Sequence, residues 1–185
     1  MIVFDARHAE NEYSGLGRYT AALVCSIVNE LENEHLNILL PKGKSNYLIE
    51  LIKSKSLSKD NVNCVEISIP LFGLRHHLQV GLLGVVRRCD LYIYPHFDVP
   101  LSVFNKTMYI VHDTFVLDVD GYVTNKIALK KSYFWLLHNV QAVRTGSTGV
   151  CVSLNTKNDI TRHLVKSDCS MHHILSGLTR FSDRL

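Results

Sequence analysis

Along this chain, short apolar runs alternate with segments whose apolar residues recur at helical spacing, and this alternation leaves few folds open. Residues 2–5, 36–40, 62–69, 90–94, 108–111 and 149–152 are short and apolar, and read as strands. Pro41 and Pro70 stop the second and third of them. Residues 15–32 put Val24, Ile27, Val28 and Leu31 on one face of a helix, with Ser14 as its N-cap. Residues 46–52 predict a short helix. Residues 71–89 predict a helix, or a loop followed by one, with Arg75, His76, His77, Arg87 and Arg88 at its ends. A long helix over 122–143 carries Tyr133, Phe134 and Trp135, and Thr156 with Asp159 makes a capping-box-like start for a helix through 164. One more strand is expected to begin at 174–175. Strand and helix in this order predict an α/β, Rossmann-like, doubly wound parallel sheet. In such folds the site lies at the carboxyl ends of the strands. That rule selects the loop after Asp5, the segment 94–100, and the pair His112 and Asp113.

A chain of 185 residues allows one ordinary domain with an adequate core. With 46% hydrophobic and 20% charged residues it lies far from disordered composition. No apolar run reaches the ~20 residues that span a bilayer. Arg7 and Glu10 interrupt the first apolar run before anything like a signal peptide forms, so a cytoplasmic chain is expected. The net charge is +3, with 7 Lys/Arg and 9 Asp/Glu in residues 1–70 against 13 and 8 in residues 71–185. That mild asymmetry gives no reason to expect a nucleic-acid partner and is compatible with contact at an anionic surface. Five scattered cysteines (Cys25, Cys64, Cys89, Cys151 and Cys169) without a CxxC predict small buried hydrophobes rather than a zinc site or a disulfide framework. The pairs His76–His77 and His172–His173 lack a further ligand at metal spacing, so surface histidines and no metal are expected.

Three stretches could carry chemistry. Ser14-Gly15-Leu16-Gly17-Arg18-Tyr19 sets two glycines between a strand and a helix, where the helix N-terminus favours an anion such as phosphate. A tight turn with no ligand fits the same residues. Dinucleotide binding is disfavoured, because Thr20 stands at the third glycine and Leu40 and Pro41 stand where an acid would meet a ribose. No Walker loop and no GxSxG elbow is present. The strand 108–111 ends in His112 and Asp113, an imidazole and a carboxylate at the sheet rim. They could serve proton transfer or hydroxyl recognition, or be an ordinary polar strand end. The loop Tyr94-Pro95-His96-Phe97-Asp98-Val99-Pro100 offers His96 and Phe97 to an acceptor cleft, or is a rigid turn.

Taken in order, these pieces resemble the N-terminal domain of group-1 (family 4) glycosyltransferases of the GT-B fold. Ile2-Val3-Phe4-Asp5-Ala6-Arg7 followed by Gly15-Leu16-Gly17-Arg18-Tyr19 looks like that family's opening, with Ser14 in place of its first glycine. Pro95-His96-Phe97-Asp98-Val99-Pro100 with Val111-His112-Asp113, and Val152-Ser153 with Asn158-Asp159-Ile160, resemble its later motifs. The likeness covers residues 1–177 and is strongest toward bacterial enzymes of surface polysaccharide (lipopolysaccharide, O-antigen) synthesis, often mannosyltransferases.

The resemblance implies a retaining, metal-independent transfer from a nucleotide-sugar to a glycan or lipid-linked acceptor. It implies that Gly15, Gly17 and Arg18 approach the donor phosphates. His112, supported by Asp113, would lie near the reacting carbon, and His96 and Phe97 would line the acceptor cleft. A C-terminal domain, or a separate chain, would hold the nucleotide-sugar and a Glu-x7-Glu motif. The last glutamate here is Glu66, and Ser176-Gly177 resembles the crossover to that domain. Residues 1–177 are therefore expected to form the acceptor-side domain and 178–185 a tail at the crossover. The chain would be a truncated product, a fragment or half of a split enzyme, inactive alone. A non-catalytic binding module of the same fold, with peripheral contact at the inner face of the plasma membrane, is the alternative.

Overall fold

The computed structural model describes residues 1–10, 13–43, 46–54, 59–118, 127–144, 146–165 and 170–174. Seven strands form one sheet: β1 (Ile2–Asp5), β2 (Leu36–Pro41), β3 (Val62–Ile67), β4 (Leu91–Tyr94), β5 (Thr107–Val111), β6 (Thr148–Cys151) and β7 (Ser170–His173). Their order is β3-β2-β1-β4-β5-β6-β7, and every pairing is parallel. The helices are α1 (Gly15–Glu30), α2 (Asn46–Ser54), α3 (Gly73–Gln79), α4 (Gly84–Arg87), α5 (Phe115–Asp118), α6 (Ile127–Val143) and α7 (Leu154–His163). The chain winds outward from β1 to β3 and then returns to place β4 on the other side of β1. The direction of winding therefore reverses between β1 and β4, which creates the crevice where doubly wound sheets bind ligands.

Both faces of the sheet are covered, and the two-residue period of the strands decides which side chain goes where. Phe4, Leu36, Ile38, Leu40 and Ile93 pack with Val24, Val28, Leu48 and Ile52 of α1 and α2. Their strand neighbours Val3, Leu39, Tyr92, Tyr94, Tyr109 and Val111 pack on the opposite face with Val80, Val86, Leu137 of α6 and Ile160 of α7. Among the described residues no helix is long and apolar enough to cross a membrane.

Local signals account for most boundaries. Ser14 caps α1, its Oγ accepting from the Gly17 N–H at 2.8 Å. The start of α7 differs from expectation: Ser153, not Thr156, is the cap, and its side chain accepts from the Thr156 N–H at 3.0 Å. Residues 71–89 form α3, a 3-10 turn at Val80–Leu82, and α4 rather than one helix. The last strand lies at Ser170–His173, ahead of the expected 174–175, with Met171 its one buried residue. Phe115–Asp118 adds a short helix that the sequence reading lacked, and α6 is described from Ile127. Cys25, Cys89 and Cys151 are buried as expected, whereas Cys64 is exposed. Cys169, the crossover pair Ser176-Gly177 and the tail 178–185 lie outside the described residues.

The segment 71–89 breaks where the loop after β4 docks on it. The Ser102 N–H donates to the His77 carbonyl at 2.8 Å, and the Gly81 N–H donates to Ser102 Oγ at 2.9 Å. A methyl group on Gly81 would land on the Ser102 carbonyl, whereas one on Gly84 would meet only the Arg88 side chain at ordinary contact distance. Gly81→Ala is therefore expected to lower unfolding free energy by about 1–3 kcal/mol in urea titrations. Gly84→Ala should leave it unchanged or raise it.

Candidate functional site

The carboxyl end of β1 carries a buried charge pair. Asp5 and Arg7 are both fully buried. Arg7 clamps the Asp5 carboxylate with Nε at 2.8 Å and an Nη2 at 2.5 Å, and the Tyr92 hydroxyl donates to the same carboxylate at 2.6 Å. Burial alone would raise the Asp5 pKa, but the Arg7 charge and these hydrogen bonds more than reverse that and hold it below the ordinary range. The rest of the guanidinium reaches outward. Nη1 donates to the carbonyls of Ile69 and Pro70 at 3.0 and 3.1 Å, and Nη2 donates to His76 Nδ1 at 3.1 Å.

His76 continues the chain of bonds. Its Nδ1 accepts from Arg7, so its Nε2 carries the proton and donates to the Asp98 carbonyl at 3.0 Å. Burial keeps this ring neutral by lowering its pKa. His76 and His77 are thus interior residues, contrary to the surface placement expected of them. His77 Nε2 meets the Tyr133 hydroxyl at 2.7 Å.

Around this scaffold lies an imidazole-rich cluster. His8, in the turn after β1, is buried, and its Nε2 meets the Tyr94 hydroxyl at 3.2 Å. Burial first, then nearby His96, pushes its pKa down to about 4. His96 Nδ1 lies 2.5 Å from Asp98 Oδ1. Burial would raise the Asp98 pKa, yet the hydrogen bond and charge from His96 bring it to about 2. Phe72 closes one side, its ring edge-on to His8 and to His96 at 5.7 and 6.5 Å. Its backbone has φ 63° and ψ 163°, a region that essentially only glycine occupies without strain. A bulky residue held there at a cost of about 1–3 kcal/mol marks a position where the surroundings dictate the conformation.

The cluster opens onto a cavity of about 470 Å³ lined by Phe72, His96, Phe97, His112, Asp113 and Tyr133, among others. Four of the residues selected from the sequence therefore meet at one place. His112 Nε2 donates to the Pro95 carbonyl at 2.9 Å, which leaves Nδ1 as its proton-accepting atom. Burial lowers its pKa, so the ring is neutral at pH 7. Asp113 is exposed, and its Oδ1 accepts from the Phe115 N–H at 3.1 Å, closing the turn that leads into α5. Phe97 is packed between His96 and His138, each with ring centroids at 4.3 Å, so most of its surface serves the wall of the cavity.

The glycine loop stands apart. Gly15, Gly17 and Arg18 do not line this cavity. The link is Tyr19, whose ring meets His112 edge-on at 4.8 Å. The Gly17 N–H is already taken by Ser14, while the space beside Gly15 is open and Arg18 is exposed. Asp5, Arg7, His8, His76 and His138 were not selected from the sequence as site residues. The D-x-R-H run straight after a buried strand was the available signal for the first three. Compared with protein-family models, curated proteins and solved structures, the chain has no match in any of the three.

The buried histidines set a pH dependence. His8 is held near pKa 4 and His138 near 3, chiefly by burial, against about 6.5 in an unfolded chain. Below pH ~6.5 the unfolded chain gains protons that the native chain refuses, so stability falls as pH drops toward 4. The slope is about 1.4 kcal/mol per pH unit for each such histidine. Asp5 and Asp98, with lowered pKa values, add their loss only below about pH 4. Urea midpoints measured from pH 7.5 to 4.5 are expected to be level above pH 7 and to drop steadily below 6.5. A level profile down to pH 5 would contradict the buried, neutral histidines.

Proposed function

We propose that the crevice at the carboxyl ends of β4 and β5 binds a glycan, and that this domain is the acceptor side of a retaining, nucleotide-sugar-dependent glycosyltransferase. The observation that carries the proposal is the lining of the cavity. Phe72 and Tyr133, both with exposed ring surface, line it together with His96, His112 and Asp113. Aromatic faces suit the apolar faces of sugar rings, and fixed imidazole and carboxylate groups suit their hydroxyls. The crevice also lies beside the point where the sheet reverses its winding.

Within this proposal His112 contacts the reacting sugar, its orientation set by the Pro95 carbonyl. His96 and Phe97 shape the acceptor side. Gly15 and Arg18, across Tyr19, are the face toward the donor phosphates, and Asp113 holds the turn that follows His112. Retaining transfer must stabilise a leaving diphosphate and an oxocarbenium-like centre, which requires groups on both sides of the bond. The resemblance assigns the far side to a donor-binding domain or partner chain with Glu-x7-Glu, and no glutamate follows Glu66 in these residues. A polysaccharide or lipid-linked glycan is the acceptor class proposed, mannose being the sugar often transferred by the enzymes the chain resembles, and the reaction calls for no metal.

The test is ligand-observed NMR of the 185-residue chain with a panel of soluble oligosaccharides, followed by a transfer assay with sugar nucleotide. Saturable glycan binding and no transfer by the chain alone are expected. Phe72→Gly removes the ring and relieves the backbone, so it should weaken binding at least about tenfold while melting temperature holds or rises. No saturable binding to any glycan would reject the proposal. It would favour a non-catalytic module whose exposed Leu74, Leu78 and Leu82, beside Arg75, Arg87 and Arg88, contact an anionic membrane surface.

A further inference from the structure

We propose that His8, His96 and Asp98 form a binding site for a divalent transition-metal ion of the zinc class. The proposal is separate from the transfer chemistry above, which uses no metal. Two imidazoles and a carboxylate are the donor set that zinc and its neighbours accept when three protein ligands leave a position open. One ligand atom from each residue can be chosen so that all lie within 4.8 Å of one another. Ligands at about 2.0–2.2 Å in tetrahedral array sit roughly 3.4 Å apart, so closure asks for movement on the order of 1 Å. His96 has room for it, since its side chain is 20% exposed and borders the cavity.

Charge points the same way. Asp5 is matched by Arg7, which leaves Asp98 as the buried anion of the cluster, with a histidine as its ion-pair partner. A buried carboxylate without a permanent counter-charge is costly, and a bound cation supplies one.

The surroundings already hold these groups as outer partners hold metal ligands. The Tyr94 hydroxyl meets the His8 ring, and the Asp98 carbonyl accepts from His76, which Arg7 anchors in turn. Phe72 covers His8 and His96 on one side. His96 and Asp98 line the cavity, so a remaining coordination position would face it and take water or an oxygen ligand such as a hydroxyl or carboxylate.

The test is titration of the full chain with Co²⁺ followed by visible absorption, and with Zn²⁺ followed by calorimetry. One equivalent is expected to bind, with the intense ligand-field bands of a low-coordinate Co²⁺ site and a rise in melting temperature. His96→Gln, at the least buried ligand, should weaken binding by about a hundredfold or more, beyond what outer-sphere changes cause. His8→Gln should do the same, and the apo melting temperature of each variant checks its fold. The double variant His172→Ala/His173→Ala removes an exposed pair on β7 and should bind like the parent. Absence of one-equivalent binding, binding undiminished in both ligand variants, or binding lost with the β7 pair would each overturn the proposal.

Discussion

The bidentate pair between Asp5 and Arg7 is the junction on which the crevice is built. As a contribution to stability it counts for little, because taking two charges out of water offsets most of their attraction. Its effect is geometric. Arg7 has the donors to satisfy Asp5 and still hold three groups from elsewhere: the carbonyls of Ile69 and Pro70 and the His76 ring. Through that single side chain the end of β1 is tied to the segment entering α3, and through His76 to the loop after β4. The reversal of winding lies between β1 and β4, so the pair, at the end of β1, stands beside the crevice.

Several features of the site follow from this junction. With the chain pinned at Ile69 and Pro70 and again at His76, the residues between must turn sharply. Phe72 and Gly73 take positive φ there, and only the second suits it. The outcome is an aromatic ring poised over His8 and His96 at the mouth of the cavity. Holding the Asp98 carbonyl likewise fixes the loop that presents His96, and the Pro95 carbonyl of that loop sets the His112 tautomer. Buried polar groups connected in this way specify one arrangement, since breaking one bond leaves several groups unsatisfied.

Much of the fold was legible before the structure. β1 matches its expected bounds, and the short apolar runs marked the strands β1 to β6, because parallel sheets bury both sides and leave apolar runs. The rule for carboxyl ends located the crevice and brought His96, Phe97, His112 and Asp113 together. What failed depended on distant partners or on weak local signals. His76 looks like a surface residue until Arg7, far off in sequence, is seen beside it. The segment 71–89 reads as an apolar helix with basic ends, or a loop and then a helix, until Ser102 docks at Gly81. β7 buries only Met171 and therefore lacks an apolar run. At α7 the Thr156–Asp159 spacing imitates a capping box, while Ser153 makes the bond.

The most direct measurement compares ¹H–¹⁵N histidine side-chain spectra of the parent chain and Arg7→Lys. Lysine keeps the charge beside Asp5 but lacks the fork that reaches Ile69, Pro70 and His76 together. If the guanidinium organises the crevice, His76, His8 and His96 should shift or broaden while the amides of β5 and β6 stay in place. Unchanged histidine signals in a folded variant would contradict that claim, and would mean that the loops around the cavity hold their positions without Arg7.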